Sequence, residues 1–306
     1  MNKIKYHLLV LLATALVAGS FLVSEKLVGV VNNFSLMLLR FGGAALILLP
    51  VIISKSKWRA QVLSTMPRAM IMSFFYAAFF IGFFESLNTT SSLNTGTLFT
   101  LVPFITALLS IILFRESISS KQIFVYFLGA SGTCWVVFGG QLDLLMSFSL
   151  NKGDLIFLLA IFFMSFYSVS MKFLYRNDDM IVLVFCTLIG GSFWMFLALL
   201  FSGQPLQWAL IQDDSVLQMA YLIIGATLAT VYLYQVTTIP LGPSRVNAYI
   251  YLNPALVVIL LLVIDGKSVS MSIIPGVIIS VFATIVLQFR SENETVAVSV
   301  EITNKE

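Results

Sequence analysis

Charge, histidine and cysteine are what this sequence has least of. Asp, Glu, Lys and Arg make up only 10% of its 306 residues, against 59% hydrophobic residues, and the mean hydropathy is +1.00. Soluble domains carry about 25% charged residues, so a water-facing surface is excluded over most of the chain. The one histidine, His7, stands near the N-terminus. That rules out an HExxH zinc helix and any imidazole-based metal cluster, so neither metal nor cofactor is expected. The two cysteines, Cys134 and Cys186, lie inside apolar runs and read as small core residues. No aspartate stands near the middle of an apolar run, which speaks against an intramembrane aspartyl protease. Asp265-Gly266-Lys267-Ser268 ends like a phosphate-binding loop, but Leu261 stands in place of its first glycine. ATP hydrolysis is therefore not expected.

Long apolar runs fill the space that charge leaves. A helix needs about 20 apolar residues to cross roughly 30 Å of hydrocarbon. The sequence offers ten such segments, at 7–30, 34–53, 69–87, 93–114, 121–140, 153–174, 180–202, 215–237, 244–264 and 270–289. This predicts an all-α integral membrane protein of ten transmembrane helices, with no room for a soluble catalytic domain. With the N-terminus in the cytoplasm, thirteen of the seventeen basic residues fall on the inner side. Lys26, Lys152 and Lys267 fall outside, and Arg40 lies within a span. That bias follows the positive-inside rule and places both termini in the cytoplasm. The net charge of +3 thus reports topology rather than a nucleic-acid partner.

Lys3, Lys5 and the apolar run from Leu8 to Ala13-Thr14-Ala15 imitate a secretory signal. The apolar stretch continues to about Val31, too long for such a signal, so a retained first span is expected. The polar, acidic segment Ser291–Glu306 is expected to be a disordered cytoplasmic tail.

The two halves of the chain echo each other. Aligning Pro103 on Pro254 sets Gly96-Thr100-Pro103 against Asn247-Tyr251-Pro254, both at i, i+4, i+7 on one helical face. Glu85 likewise corresponds to Gln235, and Ser24-Glu25-Lys26-Leu27 to Ser170-Met171-Lys172-Phe173. Five spans per half is an odd number, so the second half inserts upside down. The expected units are 1–150 and 151–290, two inverted five-helix repeats. Inverted repeats suit alternating access around a site near the midplane.

In Leu39-Arg40-Phe41, Leu101-Val102-Pro103, Phe114-Arg115-Glu116-Ser117-Ile118-Ser119 and Leu252-Asn253-Pro254 the chain resembles the drug/metabolite transporter superfamily, in its EamA-type branch. The resemblance runs from about residue 7 to 290. It departs at Val125, where the family carries glycine, and at Lys267, where it carries glutamate; Gly132 and Gly276 fit. It implies a cavity lined by spans one, three, four, six, eight and nine, and a tendency towards efflux.

Charged groups within spans are costly and so are candidates for function. Arg40 sits roughly 10 Å into its span and is expected to pair with Glu25 or Glu85, or to reach a wet cavity. Arg40 or Glu85 would meet a charged part of a substrate, or Glu85 would exchange a proton. The alternatives are a static ion pair or a snorkelling arginine. Pro103 and Pro254 free carbonyls near Phe99 and Ile250 and read as hinges or as packing kinks. Ser20, Ser24, Thr100, Tyr167, Tyr232, Gln235, Asn247, Tyr251 and Asn253 complete the candidate lining. Such a lining suits a small amphipathic or zwitterionic metabolite.

The expectation is a secondary transporter of the bacterial inner (plasma) membrane that exports a small metabolite such as an amino acid or amine. It would run on protons or act as a facilitator or exchanger; its partners are that small molecule and the bilayer. The rivals are a lipid-acting membrane enzyme, which needs a buried acid/base pair, and a non-transporting subunit or receptor with a closed interior.

Overall fold

The backbone of a lipid-embedded chain must satisfy its own hydrogen bonds, and an apolar run of this length can do so only as a helix. The computed structural model describes the backbone of residues 3–27, 31–90, 92–115, 118–148, 150–264 and 270–303, and their side chains except at 3, 25–26, 92–93, 97, 264 and 289–303. Among these residues every regular element is helical. The Glu25 side chain and the turns at 116–117 and 265–268, which the sequence singles out, lie outside the described residues.

The chain opens with α1 (Lys3–Leu27), α2 (Asn33–Ser54), α3 (Ser56–Ser86), α4 (Ser92–Phe99), α5 (Val102–Phe114), α6 (Ser120–Val137) and the short α7 (Leu142–Met146). It continues with α8 (Lys152–Phe173), α9 (Met180–Ser202), α10 (Asp214–Ile223), α11 (Thr230–Leu241), α12 (Pro243–Ala248), α13 (Asn253–Ile264) and α14 (Ile274–Thr303). Local chemistry sets several starts. The Asn32 side chain caps α2 through the amide of Ser35 at 2.9 Å. Ser119 with Gln122, and Asn151 with Asp154, form reciprocal capping boxes on α6 and α8. Helix α14 carries on through most of the polar tail, where composition predicts disorder.

Among the described residues, eight helices are long and apolar enough to cross a membrane. Three of the ten expected spans are not single α-helices. Segment 93–114 breaks at Thr100-Leu101 into α4 and α5, and Pro103 stands in the first turn of α5. Segment 244–264 passes through a 3-10 stretch, Tyr249–Leu252, before α13 begins with Pro254 in its first turn. Proline lacks the N–H that a first turn leaves unpaired anyway, so both rings fit where they stand. Segment 215–237 contains a π-helical stretch, Ile224–Ala229, between α10 and α11.

Helix α3 packs on α8 and α9, α2 on α9, α6 on α14, α1 on α11 and α13, and α5 on α8 and α12. The largest buried cluster joins α2, α3, α9 and the α10–α11 segment around Phe41, Met72, Leu183, Met195 and Leu222. Leu63 and Phe201 are 83% and 85% exposed. Apolar side chains thus point outward as well as inward, as lipid rather than water demands. The α6–α14 contact is made backbone to backbone. A Cβ on Gly276 would stand 2.6 Å from the Gly132 carbonyl oxygen, and one on Gly132 would stand 2.9 Å from that of Gly276. We expect Gly276→Val to overpack this crossing at a cost of about 1–3 kcal/mol, read as a lower melting midpoint of the detergent-solubilised protein. An unchanged midpoint would show that the two helices separate freely.

Candidate functional site

The interior of the bundle is built around one cation. Arg40, on α2, is 7% exposed. Its Nε donates to Thr227 Oγ1 at 3.0 Å and its Nη2 to the Ala226 carbonyl at 3.3 Å. Both partners belong to the π-helical stretch, whose wider turn loosens the backbone ladder; the Ala226 carbonyl also accepts from the Thr230 hydroxyl at 2.8 Å. The expected pairing with Glu85 does not form. Glu85 is exposed in the last turn of α3, where it accepts from Asn88 Nδ2 at 3.3 Å. A guanidinium needs acceptors and geometry, and neutral oxygens of the bulged helix supply both.

Beside Arg40 runs an aromatic and amide set. Tyr76 and Tyr221 lie within electrostatic reach of the guanidinium. The Tyr76 ring stacks on Tyr167 with centroids 4.3 Å apart and planes 20° apart. Tyr167 is 3% exposed and Gln235 fully buried. Gln235 donates from Nε2 to Thr187 Oγ1 at 3.0 Å. Neither the Tyr167 hydroxyl nor Gln235 Oε1 has a well-formed hydrogen bond among the described residues, although the two side chains lie within hydrogen-bonding reach of each other. A buried polar atom left unpaired is expensive, so this pair marks a place where something else can bond. Tyr76, Thr187, Thr227 and Tyr221 were not legible as site residues, because an isolated Thr or Tyr in an apolar run carries no signal by itself.

A second polar node sits one residue further along α8. Asn247 donates from Nδ2 to Thr106 Oγ1 at 2.7 Å and to Ser168 Oγ at 2.9 Å, joining α12, α5 and α8. Thr100, at the break between α4 and α5, approaches Cys134 Sγ at 3.9 Å. Tyr251 is wholly buried and donates to the Tyr126 carbonyl at 3.0 Å, which ties the 3-10 stretch to α6. Asn253 Oδ1 is buried without a partner at the start of α13. Pro103 and Pro254 each follow an interrupted helix.

Other candidates stand apart. Ser20 returns its hydroxyl to the Val17 carbonyl at 2.7 Å, and Ser24 is half-buried on the same helix. Tyr232 is 41% exposed and faces an apolar groove of about 270 Å³ lined by Leu48, Ile181, Val184, Ile224, Leu228 and Ala229. The structure therefore separates Tyr232 from Gln235. No group of three or more His, Cys, Asp or Glu able to hold a metal occurs among the described residues.

A bundle of membrane-length helices around a buried polar set defines an integral membrane protein. The pattern of the EamA-like transporter family matches residues 4–138 and again residues 151–289. The chain belongs to that family and is a membrane transporter. It is 25% identical over 211 residues to a Bacillus subtilis (strain 168) protein described as "Uncharacterized transporter YyaM", covering 67% of this chain and 68% of that one. A solved structure titled "Crystal structure of protein" superposes with a TM-score of 0.75 at 18% identity, over 95% of this chain and 99% of the other. That likeness concerns the fold.

Ion pairs tie helix α3 to the α8–α9 turn at one end of the bundle. Arg68, on α3, meets Asp178, in the turn between α8 and α9, at 2.7 Å through each terminal nitrogen. Thr65 Oγ1 donates to the same carboxylate at 3.2 Å, and Lys57 pairs with Asp179 at 3.0 Å. Burial alone would raise the Asp178 pKa, but the hydrogen bonds from Arg68, the Arg176 amide and Thr65, with the charge of Arg68, carry it below the usual carboxylate value. A depressed folded pKa means that its stabilisation is full above the unfolded value of about 4 and is lost as pH falls through the lower folded one. Asp178→Asn should cost about 2 kcal/mol at neutral pH, seen as a lower melting midpoint, and the gap to wild type should close only in that acid range. A gap that narrows near neutrality would show that the pair does not hold this end.

Proposed function

We propose that this chain is a secondary transporter that exports a small metabolite, such as an amino acid or related amine, by alternating access between two inverted five-helix repeats. The observation that carries the reading is the pair of buried atoms without a well-formed hydrogen bond, Tyr167 Oη and Gln235 Oε1, flanked by Tyr76 and Arg40 from the first half of the chain. A site near the middle of the bundle, drawn from both halves and short of hydrogen-bond partners, is what a transported molecule would complete.

Support for ten spans in two repeats comes from several directions. The family pattern occurs twice. The helices α4–α5 and α12–α13 break at corresponding prolines. Packing also corresponds: α3 on α8 is answered by α1 on α11, and α5 on α8 by α1 on α13. The basic residues favour both termini in the cytoplasm of a bacterial inner membrane, with 1–150 and 151–290 as the two units. Arg68–Asp178 would then close the cytoplasmic side. Movement as a facilitator or exchanger fits the exposed place of Glu85; a proton gradient is the alternative driver. The lipid-acting enzyme gains little support, since Arg40 and Glu85, its needed pair, are held on different partners.

The test is a metabolite profile of medium and cytosol from cells expressing wild type, Arg40→Ala and Glu85→Gln at matched membrane levels. Wild type should place a compound outside that Arg40→Ala does not, and Glu85→Gln should match wild type at every external pH. A pH dependence lost in Glu85→Gln would establish proton exchange there, and identical profiles for wild type and empty cells would defeat the export reading. If the interrupted helices are hinges, Pro103→Ala with Pro254→Ala should slow turnover by about tenfold while substrate binding changes little. Unaltered turnover would make both prolines packing residues.

A further inference from the structure

The charge of the cargo can be taken one step further, and this step rests on the transport reading above. We propose that Arg40 is the receptor for a substrate carboxylate, so that the site takes carboxylate-bearing molecules of the amino-acid type and refuses the corresponding simple amines.

Arg40 has no counter-charge among the described residues. Arg40 is buried, and its bonded partners are neutral, the Thr227 hydroxyl and the Ala226 carbonyl. Those bonds use two of its five N–H groups, and a guanidinium presents the rest as a fork matched to a carboxylate. No carboxylate among the described residues forms an ion pair with it. Every described acidic side chain stands in a turn, in a loop helix or at the end of a long helix. Glu85 ends α3, the Asp154 carboxylate accepts from the Asn151 amide and Asn94 at the start of α8, and Asp178 and Asp179 are held by Arg68 and Lys57. A fixed positive charge in a low-dielectric interior attracts an anionic group and repels an ammonium that lacks one.

The surroundings suit the other end of such a molecule. Next to the cation lie the stacked rings of Tyr76 and Tyr167, and beyond them Gln235 Oε1, which lacks a well-formed hydrogen bond. Aromatic faces and an amide oxygen can hold an ammonium that is tethered to the bound carboxylate. The two ends together describe a zwitterion.

The test uses matched sets that differ only at the acid group: phenylalanine, phenylalaninamide and phenethylamine; leucine, leucinamide and isoamylamine. Purified full-length chain is followed by melting midpoint with each probe in detergent. Release from preloaded proteoliposomes is measured in parallel, with leak through protein-free vesicles subtracted. Only the carboxylates should raise the midpoint and be released by wild type. Arg40→Gln should lower their release by about tenfold or more, Arg40→Lys should keep the preference for acids, and Thr227→Val should keep it too, with a lower midpoint. Should Arg40→Gln fail to fold, wild type and Arg40→Lys decide. Amines or amides handled as well as the acids, or an unchanged preference in folded Arg40→Gln, would overturn the assignment and leave the transporter reading intact. No response to any probe in either assay would overturn the amino-acid or amine reading itself, and the assignment with it.

Discussion

A polypeptide in hydrocarbon has no water to complete its backbone hydrogen bonds, and the rest of this structure depends on that constraint. It explains why the described elements are helical, and also where they are allowed to stop being α-helical. Each interruption turns at least one buried face into the protein. Thr100, at the break before α5, is 3% exposed, and Ala226, in the π-helical stretch, is 4% exposed. Tyr249 opens the 3-10 stretch before α13 and meets His7 Nδ1 at 3.0 Å. Irregular backbone offers carbonyls that a regular helix would consume, so the interruptions and the polar side chains occur together.

That association gives the interior its character. A cation that would be costly against lipid rests on oxygens of a loosened helix turn, and the aromatic set beside it keeps water-seeking atoms without well-formed hydrogen bonds. Charge is otherwise pushed to the ends of the bundle. There Asp154 ties one rim through Asn94 at 2.9 Å and the Asn151 amide at 2.7 Å, and Asp178 ties the other through Arg68. Among the described residues the molecule therefore has polar rims, an apolar exterior and one charged side chain, Arg40, deep inside.

Much of this was legible in the sequence because hydropathy and basic-residue asymmetry are strong signals when helix length is fixed by bilayer thickness. The family and the membrane class followed from residues such as Arg40, Pro103 and Pro254. The partner of Arg40 was not legible. A search for opposite charge points to Glu85 as well as to Glu25, whose side chain lies outside the described residues, whereas the acceptors found are a threonine hydroxyl and a main-chain carbonyl in a stretch that nothing in the sequence marks as π-helical. Gln235 and Tyr232 show a second limit. Residues three apart on a helix differ by about 60° in direction, enough to bury one and turn the other towards lipid. Pairing of neutral groups, as between Asn247, Thr106 and Ser168, depends on helix packing that one sequence does not specify.

The backbone contact between Gly132 and Gly276 also divides the labour among helices. Where two main chains touch, no side-chain layer remains between them, so α6 and α14 are held at a close, fixed spacing. The helices interrupted at Thr100 and at Tyr249 have the opposite construction, with short rigid rods joined by a few residues that can absorb torsion. Under the proposed alternating-access reading, conformational work would fall on these jointed members, while the glycine-clamped pair would keep its spacing.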